Sequence, residues 1–204
     1  MPSLGRLFVF EGADGAGKST LSKNFANYLQ ATGIDCEHLA FPGNEVGTLG
    51  HHVYKLHHDP ARFGVDSLTP TSLQILHIAA HIDAIERHIL PTLKQGRSIV
   101  LDRFWWSTWA YGKASGVNIQ SLELMINIEL LHWNQVKPEM IFLIVRNTGM
   151  DEDVSDAVIL RRNSAYQELA EKGHHRYPIC VIENNSSLKD ALDQIIRSAK
   201  ARLP

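Results

Sequence analysis

Residues 10 to 20 read FEGADGAGKST and begin on the last residue of the apolar run LFVF at 7 to 10. Within them Gly12-Ala13-Asp14-Gly15-Ala16-Gly17-Lys18-Ser19 satisfies G-x-x-x-x-G-K-[ST], a pattern that works only between a strand that delivers the chain and a helix that carries it away. The glycines let backbone N–H groups turn inward onto phosphate oxygens, and the start of the next helix adds partial positive charge. Lys18 then reaches the β and γ phosphates and Ser19 can ligate Mg²⁺. Gly12, Asp14, Gly15, Ala16, Gly17, Lys18, Ser19 and Thr20 are therefore the expected cradle for ATP. A chance match is the bland alternative, and the strand and helix patterns on either side weigh against it.

Short apolar runs alternate with longer helical patterns along the rest of the chain, the sequence form of a parallel α/β sheet covered on both faces. Strands are predicted at Leu7 to Glu11, Glu37 to Phe41, Ser98 to Asp102, Met140 to Val145 and Ile179 to Glu183. Helices are predicted at about Gly17 to Ala31, Thr71 to Lys94, Ser107 to Ala114, Ser121 to Val136, Asp156 to Lys172 and Leu188 to Arg202, with Pro91 bending or ending the second of them. The polar stretch NTGMDEDV at 147 to 154 reads as a mobile connection and a candidate lid. The expected architecture is a P-loop NTPase-type five-stranded parallel sheet with helices on both faces and a short lid, in one domain spanning residues 1 to 204.

Bulk charge narrows the partners. A formal net charge of −2 gives no general attraction for a nucleic acid polymer or an anionic membrane, so phosphate selectivity has to be local. Cys36 and Cys180 alone make neither a disulfide framework nor a zinc spacing, and no stretch approaches the ~18 apolar residues of a membrane span. A reduced, cytoplasmic setting is expected. The paired histidines His51-His52, His57-His58 and His174-His175 invite a metal reading. His51 and His58 would lie two helical turns apart, too far to share one ion without another ligand.

Chemistry should gather beyond the carboxyl ends of the strands. Asp102 and Arg103 end the third strand, where a carboxylate can hold Mg²⁺ or orient an attacking oxygen and an arginine can grip a phosphate with two parallel hydrogen bonds. A surface ion pair is the bland alternative. Arg161 and Arg162, just past the polar stretch, are placed to close over a transferring phosphoryl group, with solvated helix arginines as the alternative.

FEGADGAGKST, FPGNEVGTLG at 41 to 50, LDRFWWSTWAYG at 101 to 112 and VIENNSSLKDAL at 181 to 192 together resemble the ordered landmarks of the thymidylate kinase family of nucleoside monophosphate kinases, over nearly the whole chain. The resemblance implies ATP and Mg²⁺ as cosubstrates, transfer of the γ-phosphoryl group to a (deoxy)nucleoside monophosphate, and commonly a homodimer. It puts Lys18 and Ser19 on the ATP phosphates and the metal, and Asp14 on the acceptor sugar. Asp102 would serve metal or acceptor and Arg103 the acceptor phosphate. Phe41-Pro42 would make a rigid turn with a cis peptide, and Asn184-Asn185 would lie beside the adenine. Arg161 or Arg162 would supply the charge that some members place after the P-loop carboxylate, where this chain has Gly15.

The chain departs from the family on the acceptor side. His77 stands where the family stacks a phenylalanine on the base, and His81 where it has an arginine. Gly50-His51-His52-Val53-Tyr54 carries no arginine, and Ala110-Tyr111-Gly112 lacks a glutamine. The candidate acceptor contacts are thus Asp14, Phe41, Pro42, Tyr54, His77, His81, Arg103 and Tyr111. Histidine offers less stacking area than phenylalanine, and unlike arginine it titrates near neutrality. Trp105, Trp106 and Trp109 either widen an apolar acceptor wall or pack a helix into the core. Three functions stay open: a nucleoside monophosphate kinase acting on dTMP or an analogue, a nucleoside kinase, and a nucleotide-binding regulatory module with little transfer activity. A signalling GTPase is disfavoured, since no N-K-x-D run is present and no D-x-x-G stands where a switch would need it.

Overall fold

The computed structural model describes residues 4–133, 136–146 and 157–203. Its sheet grows from the residues that cannot face water. Along β1 (Leu7–Glu11), Leu7 and Val9 point to one face and Phe8 and Phe10 to the other, all buried, as the two-residue period of a strand demands when both faces are covered. β2 (Cys36–Ala40), β3 (Ser98–Asp102), β4 (Met140–Val145) and β5 (Ile179–Glu183) join it in the order β2-β3-β1-β4-β5, every pair parallel. All five predicted strands are present; only β2 is shifted, by one residue, ending at Ala40 rather than Phe41.

One face is covered by α1 (Lys18–Ala31) and α8 (Leu188–Lys200), whose Phe25, Leu29 and Ile195 pack on Phe8, Phe10 and Phe142. Phe25 meets Phe8 edge to face at 5.3 Å between ring centres, and Phe10 lies 5.0 Å from Phe142. An edge-on pair such as Phe8–Phe25 adds about 0.5–1.5 kcal/mol beyond area burial. The second face is covered by helices from the middle of the chain: α3 (Pro70–Ala84), α5 (Trp105–Ala114), α6 (Ile119–His132) and α7 (Ala157–Gly173). Trp105 and Trp106 are core residues here, Trp106 fully buried, while Trp109 is half-buried against the same core. The first two are thereby settled as packing.

The histidine-rich stretch forms α2 (Leu49–His58), started by the Thr48 hydroxyl accepting the His51 N–H at 3.1 Å. Pro91 does not end its helix. A π turn over Ile85–Ile89 follows α3 and leads into α4 (Leu90–Lys94), so the helical path runs from Pro70 to Lys94. Proline lacks an N–H for the carbonyl four residues back and its ring collides with it. The wider π turn just ahead of Pro91 opens that spacing and lets the path continue. The candidate lid at 147 to 154 lies outside the described residues.

Candidate active site

β1 sits between β3 and β4, where the crossovers diverge, so the loops leaving its carboxyl end and those of its neighbours open on one crevice. Gly12 turns the chain with φ at +140°, and a Cβ there would stand 2.2 Å from the Ile144 carbonyl oxygen, so the loop passes against β4 only because this residue has no side chain. Gly17, at φ +94°, precedes the helix in the left-handed region. The Lys18 ammonium is buried and crosses the loop to the Ala13 carbonyl at 3.2 Å, its proton loosened by burial and by the charge of Arg103. Ser19 and Thr20 are exposed in the first turn of α1. The buried Asn184 donates its amide to the Ala16 carbonyl at 2.8 Å, so in this structure it braces the loop from the end of β5.

Asp14 is the node that ties the loop to the rest of the site. Arg103 Nη2 donates to its Oδ1 at 2.6 Å, and the Tyr111 hydroxyl donates to Oδ2 at 2.5 Å. Arg162 Nη1 lies 3.7 Å from Oδ2, and its guanidinium covers the Tyr111 ring at 4.3 Å. Burial works against the Asp14 charge, but the Tyr111 hydrogen bond and the Arg103 guanidinium outweigh it and hold this carboxyl below the usual range. Arg103 keeps its proton more tightly than a free arginine. Burial opposes this, while Tyr111, Tyr166, Glu11 and Asp14 together prevail. Its backbone is the one described non-glycine residue at positive φ, +82°, which costs about 1–2 kcal/mol.

Asp102 is buried beside Lys18, and its Oδ1 has no hydrogen-bond partner among the described residues. A buried carboxylate oxygen without a donor calls for a cation or a metal-bound water, so the donor set of Ser19 and Asp102 fits a hard divalent ion such as Mg²⁺. A cavity of about 130 Å³ opens between the loop, the end of β4 and α7, bordered by Gly12, Asp14, Val145, Asn163 and Tyr166. Of the two α7 arginines, Arg162 faces this region. Arg161 is exposed and its Nε returns to the Ala157 carbonyl of its own helix.

The other expected contacts form a second cluster. The Phe41–Pro42 peptide is cis, and the Phe41 ring lies 4.1 Å from that of His81. His81 is buried and its Nδ1 sits 2.7 Å from Glu129 Oε2, while Trp133 Nε1 donates to Glu129 Oε1 at 2.9 Å. His77, one turn earlier, meets His57 edge to face at 5.6 Å, and the half-exposed Tyr54 stacks on His58 at 4.0 Å. Burial, reinforced by the neighbouring His81 and His57, drives His77 down to about 3, so it is neutral at physiological pH.

Four of the residues in these networks escape a linear reading. Glu11 and Glu129 are single acids inside apolar runs, fully buried, and Ser107 and Tyr166 look like ordinary helix residues. The acid at the end of an otherwise apolar strand is the one local sign, because a carboxylate is placed there only with partners to hold it.

A five-stranded parallel sheet with the phosphate loop at its central switch point, facing an aspartate and an arginine from the neighbouring strand, defines a P-loop protein built to bind a nucleotide. Comparison with known proteins narrows this. The family model described as thymidylate kinase matches residues 10–195, and the chain belongs to that family. A thymidylate kinase from Dinoroseobacter shibae is 34% identical over 146 residues, which span 71% of this chain but only 66% of that relative's length. A second, from Ruegeria pomeroyi, is 29% identical over 195 residues and 88% of both chains. The crystal structure of the thymidylate kinase from Ehrlichia chaffeensis shares the fold with a TM-score of 0.79 over 98% of this chain and all of that one, at 22% identity.

Proposed function

We propose that the chain transfers the γ-phosphoryl group of ATP to a (deoxy)nucleoside monophosphate, dTMP or a close analogue. The observation that carries the reading is the convergence on one crevice of Lys18 and Asp14, from the loop and helix start that follow β1, and Arg103, from the end of β3. Lys18 binds the donor phosphates and Arg103 grips the acceptor phosphate, holding the two reactants in line. Arg162, on the helix that faces the loop, neutralises charge that spreads over the transferring group. Asp14 orients the acceptor and, until it arrives, holds Arg103 and Tyr111 in place. Ser19 and Asp102 would hold Mg²⁺, which when bound draws charge from the donor phosphates. Histidines and Tyr54 in place of family acceptor contacts predict a shifted acceptor preference.

A partly buried arginine facing Asp14 favours an acceptor that already carries a phosphate over a bare nucleoside. A coupled assay of ADP release with ATP, Mg²⁺ and a panel of nucleosides and their monophosphates tests the reading. Turnover of a monophosphate above all nucleosides supports it, and no ADP release with any acceptor sinks it. The family resemblance and an exposed stripe of Leu124, Ile128 and Leu131 on α6 support a homodimer closed by this face, the same patch meeting itself about a two-fold axis. Sedimentation of Leu131→Glu should then give a monomer, and a wild-type chain that sediments as a monomer refutes it. No helix among the described residues is long and apolar enough to cross a membrane, and free thiols at Cys36 and Cys180 support a cytoplasmic setting.

A further inference from the structure

Glu11 is wholly buried at the end of β1, next to the phosphate loop, and the phosphoryl-transfer reading gives it no task. Its oxygens are nevertheless fully used. Oε1 accepts the backbone N–H groups of Phe104 at 2.7 Å and Ser107 at 3.0 Å, and Oε2 accepts the Ser107 hydroxyl at 2.8 Å. Those N–H groups open α5, whose cap residue Phe104 makes no side-chain capping bond of its own. Glu11 therefore caps α5 from another strand, placing a carboxylate where the helix dipole favours one.

The residue just ahead of this cap is Arg103. Its left-handed backbone is pinned from two sides, by its own N–H to the Phe10 carbonyl at 2.9 Å and by Glu11 on the next N–H. Its side chain is held as well. A serine hydroxyl has one hydrogen and two lone pairs. With the hydrogen given to Glu11, Ser107 Oγ is free to accept Arg103 Nη1 at 3.2 Å and the Tyr166 hydroxyl at 2.9 Å. One carboxylate thus sets the polarity of a hub that joins β1, α5 and α7.

We propose that Glu11 is a positioning residue of the acceptor grip: by capping α5 and orienting Ser107 it fixes the backbone and guanidinium of Arg103 and registers Tyr166 of α7 against them. This rests on Arg103 gripping the acceptor phosphate. Stability alone does not account for a charged group here. A glutamine would accept the same N–H groups, whereas burial raises the Glu11 carboxyl to about 7 even though the charges of Arg103 and Lys18 and the Ser107 and Phe104 hydrogen bonds oppose it. Besides these groups, Tyr166 of α7 also lies within its field. A proton on Oε2 turns the Ser107 hydrogen toward Tyr166 and leaves Arg103 with a weaker, uncharged support.

Steady-state kinetics of the full chain with ATP and dTMP, or the best acceptor of the panel, test this for Glu11→Ala, Glu11→Gln and Ser107→Ala. Glu11→Ala should raise the acceptor KM about ten- to a hundredfold with little change in the KM for ATP. Glu11→Gln keeps the cap through its carbonyl but donates to Ser107 Oγ as the protonated acid does, so it should recover only part of the loss and remove the acid limb near neutrality from the acceptor kcat/KM profile. If Glu11→Ala does not fold, Ser107→Ala keeps the cap and should still raise the acceptor KM. Equal changes in both KM values, or a fall in melting temperature with unchanged kinetics in all three variants, overturn the proposal. If wild type turns over no acceptor, the phosphotransfer reading falls and the Arg103 guanidinium ¹⁵N signals decide this one. They must shift in Ser107→Ala, and unshifted signals overturn it.

Discussion

The contact that should respond most sharply to a single change is the buried triad of His81, Glu129 and Trp133. Glu129 is fully buried on α6 and accepts one N–H from α3 and one from the residue a turn further along its own helix. Glu129→Leu keeps most of the volume and removes both acceptors, so two N–H donors are left unpaired in an apolar layer. Each orphaned donor costs about 1–3 kcal/mol, so the two together cost about 2–6 kcal/mol. For a chain of 204 residues that is a fall in melting temperature of roughly 4–24 °C. The triple variant His81→Leu, Glu129→Leu, Trp133→Phe removes donors and acceptor together and should return to within about 1–2 kcal/mol of wild type. Urea unfolding followed by tryptophan fluorescence, with equal m-values as a check on two-state behaviour, measures both. A cost below about 1 kcal/mol for Glu129→Leu, or a triple variant no better than the single, would falsify the view that this triad ties α3 to α6. If His81 also meets the acceptor, the recovered triple variant is stable yet impaired toward it.

Other outcomes separate neighbours that look alike in sequence. Arg162→Ala should lower kcat by about 10²–10³ through loss of charge stabilisation, while Arg161→Ala stays near wild type; the reverse order would reassign the α7 arginine. Glu11 titrates at about 7 when folded against 4.5 when free, so its ionisation opposes folding, fully above pH 7 and not at all below pH 4.5. Glu11→Gln should accordingly be more stable than wild type by up to about 3 kcal/mol at alkaline pH, with the gap closing toward pH 4.5, and calorimetric scans over that range show whether it does. His77 acts with the opposite sign. Its proton affinity is depressed on folding, so stability is lost as pH falls below 6.5, by about 2 kcal/mol at about pH 5. In His77→Phe that acid-side loss should disappear, and an unchanged slope would mean that the ring is not buried in solution.

The sheet was legible because its strands are doubly buried and so written as unbroken apolar runs, and the phosphate loop because its chemistry demands particular residues at fixed spacing. Lys18, Asp102 and Arg103 could be placed for the same reason: strand ends in a parallel sheet share one rim. Glu11 and Glu129 could not be assigned, since what defines each is a partner 96 or 48 residues away, and nothing local says which helix will arrive. Arg161 and Arg162 were indistinguishable for a different reason. Adjacent helix residues differ by about 100° in direction, and only the docking of α7 decides which one faces the loop. The helical path to Lys94 was legible from its periodicity, but how it passes Pro91 was not, because the rule that proline interrupts a helix holds for a regular α-helix and not for one that widens first.

That widening has a consequence for the phase of the whole segment. A π turn is one residue inserted into an α-helical repeat, so everything before it is rotated about 100° relative to everything after it. Leu93, beyond the turn, and His77 and His81, before it, fulfil their separate obligations to the core and to the histidine cluster only because of that offset. Removing a single residue between Ile85 and Ile89 would leave a more regular helix and swing His81 out of register with Phe41 and Glu129, and His77 out of register with His57. In this segment length is information: a deletion that shortens the chain by one residue would alter the acceptor side more than replacement of any exposed side chain in the turn.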